Sequence, residues 1–465
     1  MRRTLPALPW LVAGLALGLM AARLALAPRA GERTPAPGAS APSMSEVRLA
    51  FSQPMDEASV TRRLHFTPSR DGEVAWEGNT LVFRPAQAWV IGETVDVRLD
   101  AGARSRRGLT TWRATHWSFT VREPRLAYLW PAGKAADVYT RAPSDSDAVR
   151  VTTSAEGVVD FTLGARGTQL VYTAERGAGE TDLRAIDLET GLDRLLFSSP
   201  AGERCSSPVL SPDGSRLAFV RAGVRAGGNA TLPMAAARVW LLTFGAEPAR
   251  PISPEGDAAS TPFWSPQGWL AFVDFTRASI VLIDPSAPGT DPPLAAIPST
   301  LGERGSWSPD GRYLVYPDLV FPAHEEVEAE RPPALETHLF RWEVSSGELL
   351  DLSTQAGVGV EDAAPVFAAR GAWILFNRRV LAADGWTPGR QLWRMQFDGS
   401  GAEALTAEPF INHGAPAPGP QETTLAYLRY DVEKPLEPAQ IWWFDLETRQ
   451  GSRAVEGGYL TSWIP

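Results

Sequence analysis

Two aspartates of this chain, Asp213 and Asp310, recur in the same setting, each within a Ser-Pro-Asp-Gly tetrapeptide. Carboxylates at repeated positions are tempting as catalytic groups. However, Pro presets φ, Asp accepts hydrogen bonds from the backbone ahead of it, and Gly tolerates a positive φ, so the tetrapeptide has the composition of a tight turn. We therefore interpret both aspartates as turn residues.

Other combinations of catalytic residues are missing from the sequence. It contains no Gly-x-Ser-x-Gly nucleophile motif and no glycine-rich phosphate loop. The histidines lack the spacing of a zinc site; they are His65, His116, His324, His338 and His413. The single cysteine, Cys205, precedes a predicted strand, where a buried, unreactive thiol is the plainer interpretation. We therefore expect neither enzymatic activity nor a cofactor.

Candidate binding residues lie in irregular segments that interrupt a repeated strand pattern, at residues 221–238, 317–337, 378–390 and 430–438. Loops on a rigid scaffold often carry binding sites. The plainer interpretation of segment 317–337 is a solvated acidic loop, with cation binding as the alternative, whereas the arginines of segment 378–390 could bind an anionic partner. The candidates are His324, Glu325, Glu326, Glu328, Arg331, Arg378, Arg379 and Trp386.

The repeat that positions these segments consists of a turn followed by a short apolar strand. It is clearest at 211–220, 264–273 and 307–316, and weaker copies occur at 163–172, 367–376 and 417–428. Most copies are followed by a second pair of strands, which makes four strands per repeat. A repeat at a spacing of roughly 40–60 residues with four strands is typical of a β-propeller blade. Trp264, Trp307 and Trp463 recur at one repeat position, where packing between blades is favoured over ligand stacking.

The two ends of the repeat region supply one more blade. Residues 126–130 have the pattern of a second strand, and the missing first strand matches residues 459–465 at the end of the chain. Pairing these segments would remove two free sheet edges. The sequence therefore predicts an all-β fold with a seven-bladed β-propeller over residues 123–465, closed by the C-terminal strand.

The repeats resemble the WD40-like propeller repeat of TolB-type periplasmic proteins, whose hallmark is an aromatic-Ser-Pro-Asp-Gly turn followed by a Leu-Ala-Phe-like strand. This resemblance implies the propeller fold and a location outside the cytoplasm. It does not imply one activity, because the same repeat occurs in binding proteins and in front of peptidase domains.

Residues 46–122 have a different sequence pattern. Apolar and polar residues alternate in short segments, which is typical of the strands of a small antiparallel sandwich. The segment Phe51-Ser52-Gln53-Pro54-Met55-Asp56 and the terminal Ser118-Phe119-Thr120 resemble the bacterial Ig-like domain. The resemblance implies a spacer or adhesion module without catalytic residues.

The N-terminus carries the one membrane signal of the sequence. Arg2 and Arg3 precede an apolar run from Leu5 to Ala22, which predicts a signal-anchor over residues 1–27 with the rest of the chain outside the cytoplasm. The alternative is secretion after cleavage near Ala27. Residues 28–45 are rich in Pro and Ala and are predicted to form a semi-extended tether.

These features together predict a membrane-tethered extracytoplasmic binding or scaffold protein, monomeric, whose propeller recognises an envelope protein, a peptide or a cell-envelope polymer. The net charge of −10 argues against nucleic acid as a partner. The alternative is a hydrolase or lyase with its site in the central funnel of the propeller.

Overall fold

In a computed structural model, the protein is described over residues 26–464, except for residues 44, 165–166, 225–236, 247, 288–292, 321–334, 369–370 and 382–384. The chain divides into two compact units, one up to Glu123 and one from Pro124 onwards. Strands make up almost all of the regular structure in both.

The first unit is a β-sandwich of two four-stranded sheets. Its strands are β1 (Ala30–Thr34), β2 (Ser40–Ala41), β3 (Val47–Phe51), β4 (Leu64–Thr67), β5 (Gly72–Glu77), β6 (Thr80–Pro85), β7 (Thr94–Leu99) and β8 (Thr115–Val121). One sheet has the order β1-β3-β6-β5 and the other β2-β8-β7-β4. Alternate residues of β3, β7 and β8 are buried, which is the pattern of strands with one face on a core.

A short helix, α1 (Glu57–Thr61), follows β3, and its first turn is capped by Asp56, whose carboxylate accepts from the amide of Ser59 at 2.9 Å. The core of the sandwich is centred on Trp89, which is fully buried and lies edge-on to Phe119 with ring centroids 5.9 Å apart.

Residues 28–45, predicted to be a tether, instead contribute two strands to this sandwich. β1 pairs with β3 and β2 pairs with β8. The prediction was wrong because it considered only how little this segment can bury. Backbone bonds hold the segment, Ala41 fills a place in the core, and the carbonyl of Pro35 accepts from the indole of Trp117 at 3.1 Å.

Within the described part of the chain, no helix is both long and apolar enough to cross a membrane. The predicted anchor, from Leu5 to Ala22, lies outside the described residues.

The second unit starts with β9 (Arg125–Trp130), β10 (Asp137–Arg141) and β11 (Val149–Arg150). Groups of four antiparallel strands follow, each in sequence order. Sheet 1 contains β12 (Val158–Leu163), β13 (Gln169–Glu175), β14 (Thr181–Asp187) and β15 (Asp193–Ser198). Sheet 2 contains β16 (Glu203–Leu210), β17 (Arg216–Gly223), β18 (Arg238–Thr243) and β19 (Arg250–Pro251). Sheet 3 contains β20 (Ala259–Trp264), β21 (Leu270–Asp274), β22 (Ser279–Ile283) and β23 (Ala295–Pro298).

The remaining groups have the same order. Sheet 4 contains β24 (Ser306–Trp307), β25 (Tyr313–Val320), β26 (Glu336–Glu343) and β27 (Leu349–Asp351), followed by the 3-10 turn Thr354–Ala356. Sheet 5 contains β28 (Val360–Phe367), β29 (Trp373–Val380), β30 (Gln391–Gln396) and β31 (Glu403–Ala404), and a single parallel bridge joins it to sheet 4. Sheet 6 contains β32 (Ile411–Pro418), β33 (Thr424–Asp431), β34 (Gln440–Asp445) and β35 (Gln450–Glu456).

The last strand of the chain, β36 (Tyr459–Ile464), pairs with β9 and so completes sheet 7, in the order β11-β10-β9-β36. The predicted closure by the C-terminal strand is therefore confirmed. It brings Trp463 opposite Leu126, more than 300 residues earlier in the chain.

Apolar clusters between neighbouring sheets hold this arrangement together. Each cluster combines buried residues of two successive sheets, from sheets 1 and 2 round to sheets 6 and 7. A further cluster joins sheet 7 back to sheet 1 through Leu129, Val138, Leu170 and Tyr172. Because every sheet packs on the next and the last packs on the first, the sheets form a closed ring, which is a β-propeller.

The repeated tetrapeptides form the turns between the first and second strands. In sheet 2, Ser211 Oγ donates to Asp213 at 2.5 Å and accepts from the amide of Arg216 at 2.9 Å. Ser308 and Asp310 make the equivalent bonds in sheet 4. The interpretation of Asp213 and Asp310 as turn residues is thus confirmed.

The repeated tryptophans join neighbouring sheets. The indole of Trp264 donates to the carbonyl of Val209 at 3.0 Å, and that of Trp463 donates to the carbonyl of Ala417 at 2.8 Å. Both bonds connect adjacent first strands. The predicted role of these rings in packing between blades is therefore confirmed.

Candidate functional site

All four predicted insertions lie between the second and third strands of a sheet. In an antiparallel sheet, these connections emerge at the same end as the segment that enters the first strand. Hydrogen bonds show the proximity directly: the amide of Val224 donates to Gly202 at 2.8 Å, and that of Val432 donates to Phe410 at 3.0 Å. We call this side of the propeller the insertion face, and the side with the Ser-Pro-Asp-Gly turns the turn face.

The predicted site residues are not brought together in one place. His324, Glu325, Glu326, Glu328 and Arg331 lie outside the described residues. Arg378 and Arg379 belong to β29 and not to the insertion that follows it. Trp386 lies in that insertion, between β29 and β30, and 57% of its surface is exposed.

The prediction that Arg378 lies in a loop was wrong, because the residue is buried within a strand. Its guanidinium makes two bonds to Asp362, with Nε–Oδ1 at 2.7 Å and Nη2–Oδ2 at 2.6 Å. Ser353 Oγ donates to the same carboxylate at 2.6 Å, and the guanidinium lies over the rings of Phe376 and Trp393. A guanidinium satisfied in this way has a structural role and is not available to an anionic partner.

Arg379 is also paired, although it is less deeply placed. It lies 3.3 Å from Glu361, and the same carboxylate accepts from Arg390 at 3.1 Å. Glu361 thus links the second strand of sheet 5 to the end of its insertion. One carboxylate therefore serves both arginines at this edge.

Exposed aromatic side chains distinguish the insertion face. Each lies in a connection or strand end on this face and is between 38% and 57% exposed; they are Trp130, Phe275, Trp386, Phe410 and Tyr430. Among the described residues of the turn face, Phe397 is the exposed aromatic, and it packs beside Tyr313 and Arg341. Exposed apolar residues concentrated on one side of a protein mark an interaction surface.

The first strands of the sheets surround the propeller axis. β12 contacts β16 on one side and β36 on the other, and further contacts join β16 to β20, β28 to β24 and β32, and β32 to β36. Most of these strands contain a register shift near their middle. At the shift, five residues other than glycine have a positive φ between 46° and 54°; they are Ser207, Thr261, Ala364, Ala415 and Leu460.

Such bulges re-aim a side chain, and non-glycine residues in this conformation are found where the surroundings enforce it. All five lie three residues before the repeat position of Trp264, Trp307 and Trp463. We call this the axial position. Around the ring it is occupied by Asp160, Ser207, Thr261, Arg304, Ala364, Ala415 and Leu460. Small or neutral side chains therefore dominate the axial position, and Asp160 and Arg304 are the charged residues at it.

Asp160 is engaged with the neighbouring sheet. Its Oδ2 accepts from the amide of Ser207 at 2.6 Å, whereas its Oδ1 is buried without a hydrogen-bond partner. Burial raises the pKa of this carboxyl, and the nearby Thr173 hydroxyl, the Ser207 amide and the charge of Arg204 only partly oppose it. Arg304, three sheets further round the ring, makes no ion pair within the described part of the chain.

Asp160 and Arg304 were missed by the sequence analysis, although the signal that identifies them was present. The repeat alignment fixes the axial position by its distance from the tryptophan. Reading the residue types at that one position along the copies would have revealed one acid and one base among small side chains.

The described residues contain no group of three or more His, Cys, Asp or Glu side chains that could hold a metal ion. Cys205 is fully buried, and burial raises the pKa of its thiol to about 12. A thiol that remains protonated is a poor nucleophile, so the expectation of an unreactive cysteine is confirmed.

The architecture is that of a bacterial Ig-like sandwich combined with a β-propeller. Residues 25–121 match the family described as bacterial Ig-like domain. No curated protein matches the chain.

Several solved structures are similar in fold. TolB from Acinetobacter baumannii is 11% identical, with 87% of this chain and 83% of that chain covered at a TM-score of 0.43. The β-propeller domain of the trilobed protease from Pyrococcus furiosus is 14% identical, with 64% and 85% covered at a TM-score of 0.47. An oligogalacturonate lyase from Vibrio parahaemolyticus is 12% identical, with 70% and 88% covered at a TM-score of 0.48. At these identities and TM-scores, none of the three bears on the ligand or activity of this protein.

Proposed function

We propose that this protein is a non-enzymatic binding or scaffold protein of the bacterial cell envelope, built on a seven-bladed propeller that binds a protein partner at its insertion face. The blade number is supported by the four-stranded sheets 1 to 7 and by the apolar clusters that link each to the next. The proposal as a whole rests on one observation, the concentration of exposed aromatic side chains on the insertion face.

Aromatic rings suit this role because they bury a large area at a low cost in conformational entropy. They are enriched at the centres of protein interfaces and depleted from ordinary surface. The ion pairs of Glu361 favour the same interpretation, since arginines that already hold an internal carboxylate are less available to an anionic partner. The acidic insertion with His324, Glu325, Glu326, Glu328 and Arg331 remains a predicted contributor at this face.

We further propose that the protein acts outside the cytoplasm and is tethered by the apolar segment from Leu5 to Ala22. Secretion after cleavage near Ala27 is the alternative. Mass spectrometry of the protein's N-terminus, taken from membranes and from the culture medium, distinguishes the two. In the structure, Ala27 is buried and the carbonyl of Leu26 accepts from Gln53 at 3.0 Å, so the chain is already part of the sandwich at this point.

The binding proposal is tested by site-specific photo-crosslinking in intact cells. A photoreactive phenylalanine analogue replaces Trp386 or Phe410 on the insertion face and, as matched controls, Leu192 or Phe397 on the turn face; all four side chains are between 42% and 67% exposed. We expect both insertion-face positions to capture the same partner and the controls to capture none. Equal capture from both faces, or no capture from either, would contradict the proposal.

The alternative of a hydrolase or lyase would place its chemistry at the axis, where Asp160 and Arg304 are the charged residues. It predicts turnover of an envelope polymer that is lost in Asp160→Asn and retained in Trp386→Ala. Partner capture that persists in Asp160→Asn without any turnover favours the binding protein.

A further inference from the structure

We propose that Arg304 forms an oxyanion-binding site on the propeller axis, which binds the carboxylate or phosphate group of a ligand. This inference is independent of the protein partner proposed for the insertion face. It rests on the position of Arg304, its backbone, the lack of an internal partner and the chemistry of its neighbours.

The position of Arg304 follows from the repeat. It lies three residues before Trp307, as Thr261 lies three residues before Trp264. Thr261 is at the register shift of its first strand. Arg304 therefore occupies the axial position of sheet 4, where the neighbouring sheets carry Thr261 and Ala364.

The backbone around Arg304 departs from the repeat. The first strand of sheet 4 is reduced to Ser306–Trp307, whereas the other first strands resume pairing beyond the register shift. The residues with which pairing resumes are Val220 in sheet 2, Val273 in sheet 3 and Asn377 in sheet 5. The corresponding residue of β25 is Pro317, which has no amide hydrogen to donate.

Arg304 consequently lies on an unpaired segment, between Gly302 and Gly305. A Cβ at Gly305 would lie 2.7 Å from Leu314 and 2.8 Å from the carbonyl of Val315, so only glycine allows this segment to lie so close to β25. The propeller thus presents an arginine from irregular backbone at a place where its other sheets have regular strands.

The electrostatic surroundings of Arg304 favour the binding of an anion. Its side chain is exposed, yet desolvation lowers the pKa of its guanidinium, and no carboxylate opposes this effect. Exposure and desolvation agree if the side chain lies in a channel. Water in the channel then contacts the side chain, while the protein atoms of the channel walls displace most of the surrounding solvent. The central channel of a propeller is such a place.

Among the described residues, none supplies the guanidinium with a counter-ion. Thr261 offers a hydroxyl and Ala364 a methyl group, and the nearest charged axial residue, Asp160, is three sheets away and bonded to Ser207. Glu303, adjacent in the chain, makes no ion pair with Arg304. Other arginines at strand ends have an internal partner: Arg221 pairs with Glu203, and Arg238 and Arg250 donate to the carbonyls of Ser253 and Pro285.

An unpaired, desolvated guanidinium is costly unless a ligand supplies the charge. Oxyanions match its planar fork of donors, and the bonds are stronger in a site of low dielectric. Carboxylates and phosphates share this chemistry, so the two sources must be separated by experiment.

The test measures the thermal stability of the full chain with succinate or with inorganic phosphate, against chloride at the same ionic strength. The variants are Arg304→Gln and, as a matched control, Arg453→Gln, an exposed arginine of β35. We expect the oxyanion to raise the unfolding temperature of the wild type and of the control, and the affinity to fall on the order of tenfold or more in Arg304→Gln. Stabilisation by only one of the two anions identifies which group the site prefers.

A second measurement excludes a merely structural role. Without oxyanion, Arg304→Gln removes an unpaired desolvated charge, so its unfolding temperature should equal or exceed that of the wild type. A lower unfolding temperature in chloride, or an oxyanion effect that survives the substitution, would overturn the proposal. Neither outcome would affect the crosslinking result at the insertion face, so the two proposals fail separately.

Discussion

Arg378→Ala should destabilise the propeller more than substitution of any neighbouring charge. Asp362 is fully buried and its carboxylate accepts three bonds, two from Arg378 and one from Ser353. Without the arginine, the buried carboxylate keeps a single donor. Breaking a buried pair by removing one partner costs about 3–5 kcal/mol. This corresponds to a loss of between about two and four powers of ten in the folding equilibrium.

Chemical denaturation followed by tryptophan fluorescence measures this loss, since Trp393 lies 4.9 Å from the Arg378 guanidinium. The matched control is Arg379→Ala on the same strand, whose partner Glu361 is partly exposed, so the loss should stay within about 1 kcal/mol. The double variant Asp362→Leu/Arg378→Met should recover most of the stability, because it leaves no uncompensated charge. A single-variant loss no larger than that of the control would refute the reasoning.

Four further predictions follow from the contacts above. Bonding to Asp351 raises the pKa of His338, so the stability that the protonated His338 confers is present below about pH 6.5 and is lost as pH rises through the raised pKa. Denaturation midpoints measured across pH should show that His338→Gln lowers the stability only on the acidic side. Burial lowers the pKa of His413, so the wild type should lose stability as pH falls through about 6.5, and His413→Gln should reduce that slope. Trp463→Ala removes the indole bond that joins sheet 7 to sheet 6, and thermal unfolding should show a loss of about 2–4 kcal/mol that exposed Trp386→Ala does not reproduce. Ala415 has φ of 46°, so Ala415→Gly should stabilise by up to about 1 kcal/mol in denaturant titrations, whereas Ala404→Gly in β31 should destabilise by about 0.5–1 kcal/mol.

The propeller could be predicted from the sequence because its local and global signals agree. In the segment Leu217-Ala218-Phe219-Val220 every side chain is buried, as expected for a strand packed between two other sheets. The turn before it supplies its own hydrogen bonds, so it forms the same structure in each copy. Closure was also predictable, since the end of the chain carries a first-strand pattern and its start lacks one.

Arg378 could not be placed correctly because its partner is invisible to local pattern. An arginine pair after an apolar run is typical of the end of a strand, but β29 continues to Val380, and Asp362 of the neighbouring strand lies opposite Arg378. The prediction of a tether over residues 28–45 was wrong for a related reason. β1 and β2 are held through backbone pairing with β3 and β8, and backbone pairing requires no particular side chains.

The axial position separates folding from function within the repeat. At this position, Ser207, Thr261 and Ala364 have a positive φ within a strand, and the packing residue follows three positions later. The apolar clusters that hold the sheets together contain none of the axial residues, although Asp160 accepts from the amide of Ser207 in the next sheet. Residue type at this position can therefore be set by a ligand without a loss of fold. Arg304 has no counter-ion among the described residues and takes no part in the apolar clusters, so we attribute its charge at this position to the oxyanion site proposed above.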